Sequence, residues 1–211
     1  MVKNIGKKIL RVGMEKNKSN EIKDKLSKSS VGIAGLGGLG SNAAVSLVRA
    51  GIGHLVLIDF DIIEEENLNR QYYFIDQIGK SKINAIKENI KRINPKVKLE
   101  LHKHKLEKGS MSNLFEDVDV IIEALDDAKT KTEFIEEILF KLPDKSIVAA
   151  SGVTGYGNSD RIKTKKLGKL FLCYDDKALS SEQDMLFAPR VCLMANWEAN
   201  LAIEIILSEK K

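Results

Sequence analysis

Apolar residues along this chain fall into two rhythms. Val31–Ala34 and Leu55–Ile58 are short continuous apolar runs, the pattern of strands buried on both faces of a parallel sheet. Val118–Ala124 and Ile147–Ala150 read as further buried strands, and Val97–Leu101 alternates like a strand on the less buried side. Between them lie helical stretches. Ser41–Ala50 offers Ala43, Ala44, Leu47 and Val48 for packing. Ser81–Ile93 places Ile83, Ile86, Ile90 and Ile93 three or four apart before Asn94-Pro95 stops it. Lys129–Lys141 is a third helix. Beyond the turn at Gly152, Gly155 and Gly157, residues 161–165 and 169–174 read as an antiparallel pair. Residues 175–187 follow as a polar, mobile stretch, and Pro189 is placed to open a last helix that packs Leu201 and Ile205 on the sheet. The order predicts an α/β, doubly wound, mainly parallel sheet with a C-terminal antiparallel extension and an N-terminal helical arm. The expected layout is one domain over 1–211: arm 1–28, core 29–157, C-terminal strands and helix 158–211.

Composition narrows the class. The 211 residues, 43% hydrophobic and 30% charged, suit one substantial core. No continuous run reaches the roughly 20 apolar residues of a membrane span, so the expectation is a cytoplasmic protein without membrane attachment. Only Cys173 and Cys192 are present, which leaves no disulfide framework and no four-cysteine zinc site. The net charge of +4 is unevenly placed. Residues 1–28 carry nine Lys/Arg against Glu15, Glu21 and Asp24, so the rest of the chain is mildly acidic. That reads as a solvated basic arm, with Ile5, Ile9 and Val12 turned inward, or as a docking surface for an acidic partner protein, rather than the footprint of a nucleic-acid groove reader.

Chemistry enters at Gly35-Leu36-Gly37-Gly38-Leu39-Gly40, between a predicted strand and a predicted helix. Glycines at these spacings permit a tight turn and close backbone approach to phosphate, while the helix aims free N–H groups at an anion. Asp59 follows 19 residues after Gly40, at the end of the next strand, where a carboxylate meets a ribose hydroxyl in Rossmann-like sites. Asn67, Arg70 and Gln71 come directly after that strand, Lys82 begins the next helix, and Asp126 ends the fourth strand. The fold gathers such strand ends at one crevice. Arg70 and Lys82 suit the β and γ phosphates of a triphosphate, and Asp126 suits Mg²⁺. Each has a plain alternative: a surface ion pair for Arg70, a solvated first-turn residue for Lys82, a helix cap for Asp126.

Gly35 to Ser41, Asp59-Phe60-Asp61, Asn67-Leu68-Asn69-Arg70-Gln71, Ile78-Gly79-Lys80-Ser81-Lys82, Arg92-Ile93-Asn94-Pro95 and Asp126-Asp127 resemble, in order and spacing, the motifs of the ThiF, MoeB and ubiquitin-activating enzyme superfamily. Ala149-Ala150-Ser151-Gly152 and Ala188-Pro189-Arg190 resemble its short bacterial ThiF class. The resemblance implies an ATP- and Mg²⁺-dependent adenylyltransferase that activates the C-terminal glycine carboxylate of a ThiS-like, ubiquitin-fold sulfur carrier ending in Gly-Gly, in thiamine (thiazole) biosynthesis. It implies that Gly35, Gly37, Gly38, Gly40, Asp59, Asp61, Asn67, Arg70, Gln71 and Lys82 hold ATP, that Arg70, Lys82 and Asp126 act in catalysis, and that Asp126 holds the metal. A homodimer is among its implications. The attacking α-carboxylate, with an ordinary pKa of about 3.3–3.7, is already ionised and needs no general base. His54, His102 and His104 fall outside the motifs and read as structural or surface residues.

The chain departs from the family in lacking CxxC pairs, so no zinc is expected, and in lacking a cysteine around residues 180–187. Cys173 and Cys192 read as structural. Arg11 is the nearest candidate for an arginine supplied to a partner's site, but its surroundings do not match that motif. Other acceptors remain open: a molybdopterin carrier, a peptide or a tRNA base. An NAD-binding oxidoreductase is disfavoured because Tyr73, Tyr156 and Tyr174 are followed four positions later by Gln77, Asp160 and Ala178 instead of lysine. A non-catalytic nucleotide-binding scaffold would give Arg70, Lys82 and Asp126 no reason to converge.

Overall fold

The computed structural model describes residues 18–180 and 183–208. Ile5, Ile9, Val12 and Arg11 therefore lie outside the described residues. The chain enters on helix α1 (18–27), whose Leu26 is buried. It then alternates: β1 (Ser30–Ala34), α2 (Gly38–Ala50), β2 (His54–Ile58), α3 (Lys82–Ile93), β3 (Lys98–His102), β4 (Val120–Glu123), α4 (Ala128–Lys141), β5 (Ser146–Ser151), β6 (Lys163–Leu167), β7 (Leu170–Tyr174) and α5 (Ala188–Ser208). The sheet runs β3-β2-β1-β4-β5-β7-β6. All neighbours are parallel except β6, which returns antiparallel to β7.

Continuous burial explains the strand sequences. β1 is buried at every position and β4 likewise, so both faces want apolar side chains. β3, at the sheet edge, is half-exposed and alternates as its sequence does. One core layer joins β1, β2 and β5 to α2, α3 and α5; the other packs Phe134 and Ile138 of α4 with Phe115 and Val118 beneath β4. Phe115 and Phe134 meet edge to face at 5.4 Å between centroids.

Several expectations shift. α2 begins at Gly38, inside the glycine motif, so Gly38–Gly40 opens the first helical turn while Gly35–Gly37 forms the turn before it. Short 3₁₀ turns at Glu65–Asn69 and Met111–Phe115 order segments that periodicity reads as loop. Within the 175–187 stretch, expected as loose, described residues on either side of 181–182 are tied down: Thr154 Oγ1 donates to the Leu179 carbonyl at 2.5 Å, and Gly155 N to the Met185 carbonyl at 2.9 Å. Asp175 is buried and ion-paired by Arg190 and Arg161. Its own burial would raise its carboxyl, but the Lys177 N–H and the two guanidiniums hold it below the ordinary value. The expectation that no continuous apolar run reaches a membrane span stands, since Arg190, Glu198 and Glu204 interrupt α5. α5 is 21 residues long and apolar enough for one by length and composition. Its composition has another cause: Met194, Ala195, Ala199, Ala202 and Ile206 are buried in the core.

Candidate active site

The glycine turn is fixed by groups on neighbouring strands. Gly35 sits at φ +91°, and a Cβ there would stand 2.6 Å from the Ala124 carbonyl oxygen, so no other residue fits without strain. At Gly40 a Cβ would lie 1.9 Å from the Gly35 carbonyl oxygen; this glycine lets helix and turn close on each other. Gly37, in contrast, faces open space toward Gln71, where a phosphate can approach.

Asp59 is buried at the end of β2 and braces the turn. One carboxylate oxygen accepts from Leu36 N and the other from Asp61 N, both at 2.7 Å. Burial raises its pKa, while the Lys82 charge and the two N–H donors oppose the rise. Tyr73 donates its hydroxyl to the Leu36 carbonyl at 2.9 Å, and burial, then Asp59 and Asp61, push its pKa well up, so it stays a donor. Ser41 Oγ donates to Gly37 O and accepts from Tyr72 N, and Asn42 Nδ2 donates to Arg70 O. The segment bearing Arg70 and Gln71 is thereby clamped onto the glycine turn. Sequence reasoning missed Ser41, Asn42 and Tyr73, whose roles depend on contacts about 30 residues away.

Beside the turn opens a cavity of about 570 Å³, within the range of small-molecule sites. Gly35, Gly37, Gly38, Asp59, Asp61, Arg70, Gln71, Lys82 and Asp126 all line it. Lys82 is buried, not solvated, and its Nζ lies 2.7 Å from Asp61 Oδ2. Arg70 makes no ion pair with an acid among the described residues; its guanidinium donates to Glu66 O and Asn69 Oδ1. Asp127, not Asp126, caps α4 by accepting from Thr130 N, which leaves the exposed Asp126 facing the cavity. All three plain alternatives therefore give way. Gln71 Oε1 is buried without a partner among the described residues, an orphan acceptor a ligand hydroxyl would satisfy.

Two expected residues are not on the wall. Gly40 lies beneath it, and Asn67 is buried with its side-chain oxygen accepting from Glu64 N, closing the 65–69 turn that precedes Arg70. His104, read as structural or surface, also lines the cavity, with Lys105 over the exposed Phe60 ring at 5.7 Å. Lys131, Thr154 and Leu186 also line it without a sequence signal. No group of three or more His, Cys, Asp or Glu among the described residues could cage a metal. A lone carboxylate such as Asp126 suits Mg²⁺ that arrives with phosphate oxygens.

Residues 9–211 match the ThiF family. The chain belongs to the ThiF family. This ThiF-family chain is 40% identical over 116 residues to ubiquitin-like modifier-activating enzyme 5 of Dictyostelium discoideum, covering 49% of this chain and 30% of that protein. It is 32% identical over 108 residues to the probable adenylyltransferase/sulfurtransferase MoeZ of Mycobacterium tuberculosis, 51% of this chain and 28% of that one. It is 28% identical over 190 residues to adenylyltransferase and sulfurtransferase UBA4 of Candida glabrata, 87% and 43%. These matches span less than half the length of each curated relative. Among solved structures, the E. coli tRNA N6-threonylcarbamoyladenosine dehydratase TcdA in complex with ATP superposes with TM-score 0.83 at 19% identity over 93% of both chains. E. coli MccB with ATP superposes with TM-score 0.68 at 22% identity, over 88% of this chain and 57% of that one. At these identities the likeness is one of fold, and it makes this ThiF-family domain Rossmann-like.

Proposed function

We propose that this ThiF-family chain is an ATP- and Mg²⁺-dependent adenylyltransferase that activates the C-terminal glycine carboxylate of a ThiS-like sulfur carrier, in the thiazole branch of thiamine biosynthesis and in the cytoplasm. The observation that carries the reading is convergence: Arg70, Lys82 and Asp126, from three separate elements, meet the glycine turn at one cavity. Asp59 and Gln71 would take the ribose hydroxyls, and the turn N–H groups with Gly37 and Gly38 the phosphates. Arg70 and Lys82 would neutralise the triphosphate, with Asn67 acting at one remove by holding the Arg70 turn. Asp126 would hold Mg²⁺, which supplies further charge neutralisation on the phosphates.

The chemistry needs no proton carrier. A carboxylate oxygen forms a bond to the α-phosphorus as the bond from that phosphorus to the bridging oxygen breaks, and pyrophosphate leaves with the electron pair. The protein's work is alignment and charge stabilisation. Neither cysteine suits a persulfide or thioester step, because burial raises both thiols, Cys173 with a further push from Glu198. Sulfur transfer is therefore left to other proteins. Support for ThiS in particular rests on the motif resemblance; relatives and neighbours in this family carry names with different acceptors, so the carrier is the finer part of the proposal.

The test is intact-mass analysis of candidate Gly-Gly carrier after incubation with the protein, ATP and Mg²⁺. An ATP-dependent carrier–AMP adduct is expected. ATP binding without adduct on a ThiS-like carrier would keep the nucleotide site and reject that acceptor, and the same assay on a molybdopterin carrier or peptide then identifies the alternative.

A further inference from the structure

The cavity has two flanks, and the groups proposed for ATP account chiefly for one of them. Asp59, Asp61, Arg70, Gln71 and Lys82 stand on the β2 side of the glycine turn; beyond Asp126 the wall carries two further lysines, Lys105 from the loop after β3, which lies over Phe60, and Lys131, which alone of the two is anchored to β4 and β5. Lys131 comes from α4, and its side chain is 23% exposed while that of its partner Glu123, at the end of β4, is fully buried. Its Nζ donates to Glu123 Oε2 and to the Ala150 carbonyl, the latter at 3.2 Å. An ammonium has three N–H donors, so two are committed among the described residues and one remains. Glu123 does a second job: its Oε1 accepts from Leu125 N at 2.7 Å, fixing the backbone immediately before Asp126. The adjoining wall is Ala150-Ser151-Gly152, small residues that leave width for an unbranched chain end.

Resting on the adenylyltransferase reading, we infer that Lys131 is the group that receives the acyl substrate: its third N–H binds the carboxylate oxygen that does not attack phosphorus, and Glu123 is a positioning residue that holds both Lys131 and the Asp126 loop. A structural staple would explain the Glu123 contact but not the open flank of Lys131 on the cavity. The arrangement orients the carboxylate by one oxygen and leaves the other free to attack.

Two probes separate the flanks: AMP, and N-acetylglycyl-sulfamoyl adenosine, a stable mimic of an acyl adenylate with a glycine-like end. By calorimetry the wild type should bind the acyl probe more tightly than AMP. Lys131→Met should weaken the acyl probe by about tenfold while AMP affinity stays within about twofold; Lys131→Arg should recover most of the loss, and Glu123→Gln should show the same selectivity. As a second measurement on the unaltered protein, the acyl probe should shield Lys131 from amine acetylation, read by peptide mass, beyond any shielding by AMP. Equal loss for both probes, no loss for either, or no extra shielding overturns the inference. Failure of the wild type to bind AMP sinks the nucleotide reading itself, whereas AMP binding with no gain for the acyl probe sinks only this assignment.

Discussion

The β2 flank and the β4–β5 flank of the cavity are built by different means. On the first, a clamped backbone turn builds the wall that Asp61, Arg70 and Lys82 then charge: the Asp59 carboxylate holds Leu36 N and Asp61 N, Tyr73 holds the Leu36 carbonyl, and Gly40 closes on Gly35. On the second, charged side chains do it, with Glu123, Lys131 and Asp126 set at the ends of β4 and α4. A site framed by a clamped turn is rigid and suits a ligand part common to many reactions, here the proposed nucleotide. A side-chain-built site is easily varied, and it suits the part of a reaction that differs among relatives.

The largest expected effects test the backbone flank. Gly37→Val has open space at its Cβ and a φ of −74°, with backbone strain from the ψ of −148°, so the fold should survive with a modest loss of stability while ATP affinity falls by roughly a hundredfold. Gly40→Val, with its side chain driven into the Gly35 carbonyl, should lose ATP binding and melt at markedly lower temperature. Calorimetric titration and thermal scans of the pair distinguish phosphate approach from internal packing, and unchanged ATP binding in Gly37→Val would contradict the placement of the phosphates. Next come three charged residues. Lys82→Met should cut turnover by about a hundredfold and also lower stability, because Asp61 loses its partner. Asp126→Asn should cut turnover with no change in melting, since Asp126 is exposed and Asp127 carries the helix cap. Asp127→Ala should show the reverse balance, with fraying of α4 and a smaller effect on turnover.

A pH experiment has the smallest expected effect on the cavity, because it reads stability alone. Glu198, on α5, is fully buried with neither oxygen partnered among the described residues, and burial raises its pKa well above the ordinary 4.5, with Glu123 adding to the rise and Lys131 opposing it. An ionised carboxylate there would cost several kcal/mol, so Glu198 stays protonated in the folded chain. The unfolded chain releases that proton above pH 4.5, so the folded state loses stability from this group as pH rises. Glu198→Gln removes the dependence. Its urea midpoint should match the wild type near pH 5 and exceed it progressively toward pH 8; parallel curves would show that Glu198 is ionised in the fold.

Most of the sheet was legible because parallel strands buried on both faces leave continuous apolar runs, as in β1 and β2, and because α3 carries isoleucines at helical spacing. The glycine turn, Arg70, Lys82 and Asp126 were legible because motif spacing carries them. The 3₁₀ turns were not, since three to five residues are too few for a period to show. Lys131 was hidden for another reason: its partners Glu123 and Ala150 belong to two strands, and no local spacing links them. Asn67 was placed on the wall because its motif neighbours are there, yet its side chain turns back to close its own turn.

The central claim is that the cavity joins ATP to a carrier's terminal carboxylate. Exchange of labelled pyrophosphate into ATP measures that step in reverse. With Mg²⁺ and a ThiS-like carrier ending in Gly-Gly, exchange should appear only when the carrier is present, and should vanish when the terminal glycine carboxylate is amidated. Exchange that persists without any carrier, or none with every Gly-Gly carrier offered while ATP binds normally, would contradict it.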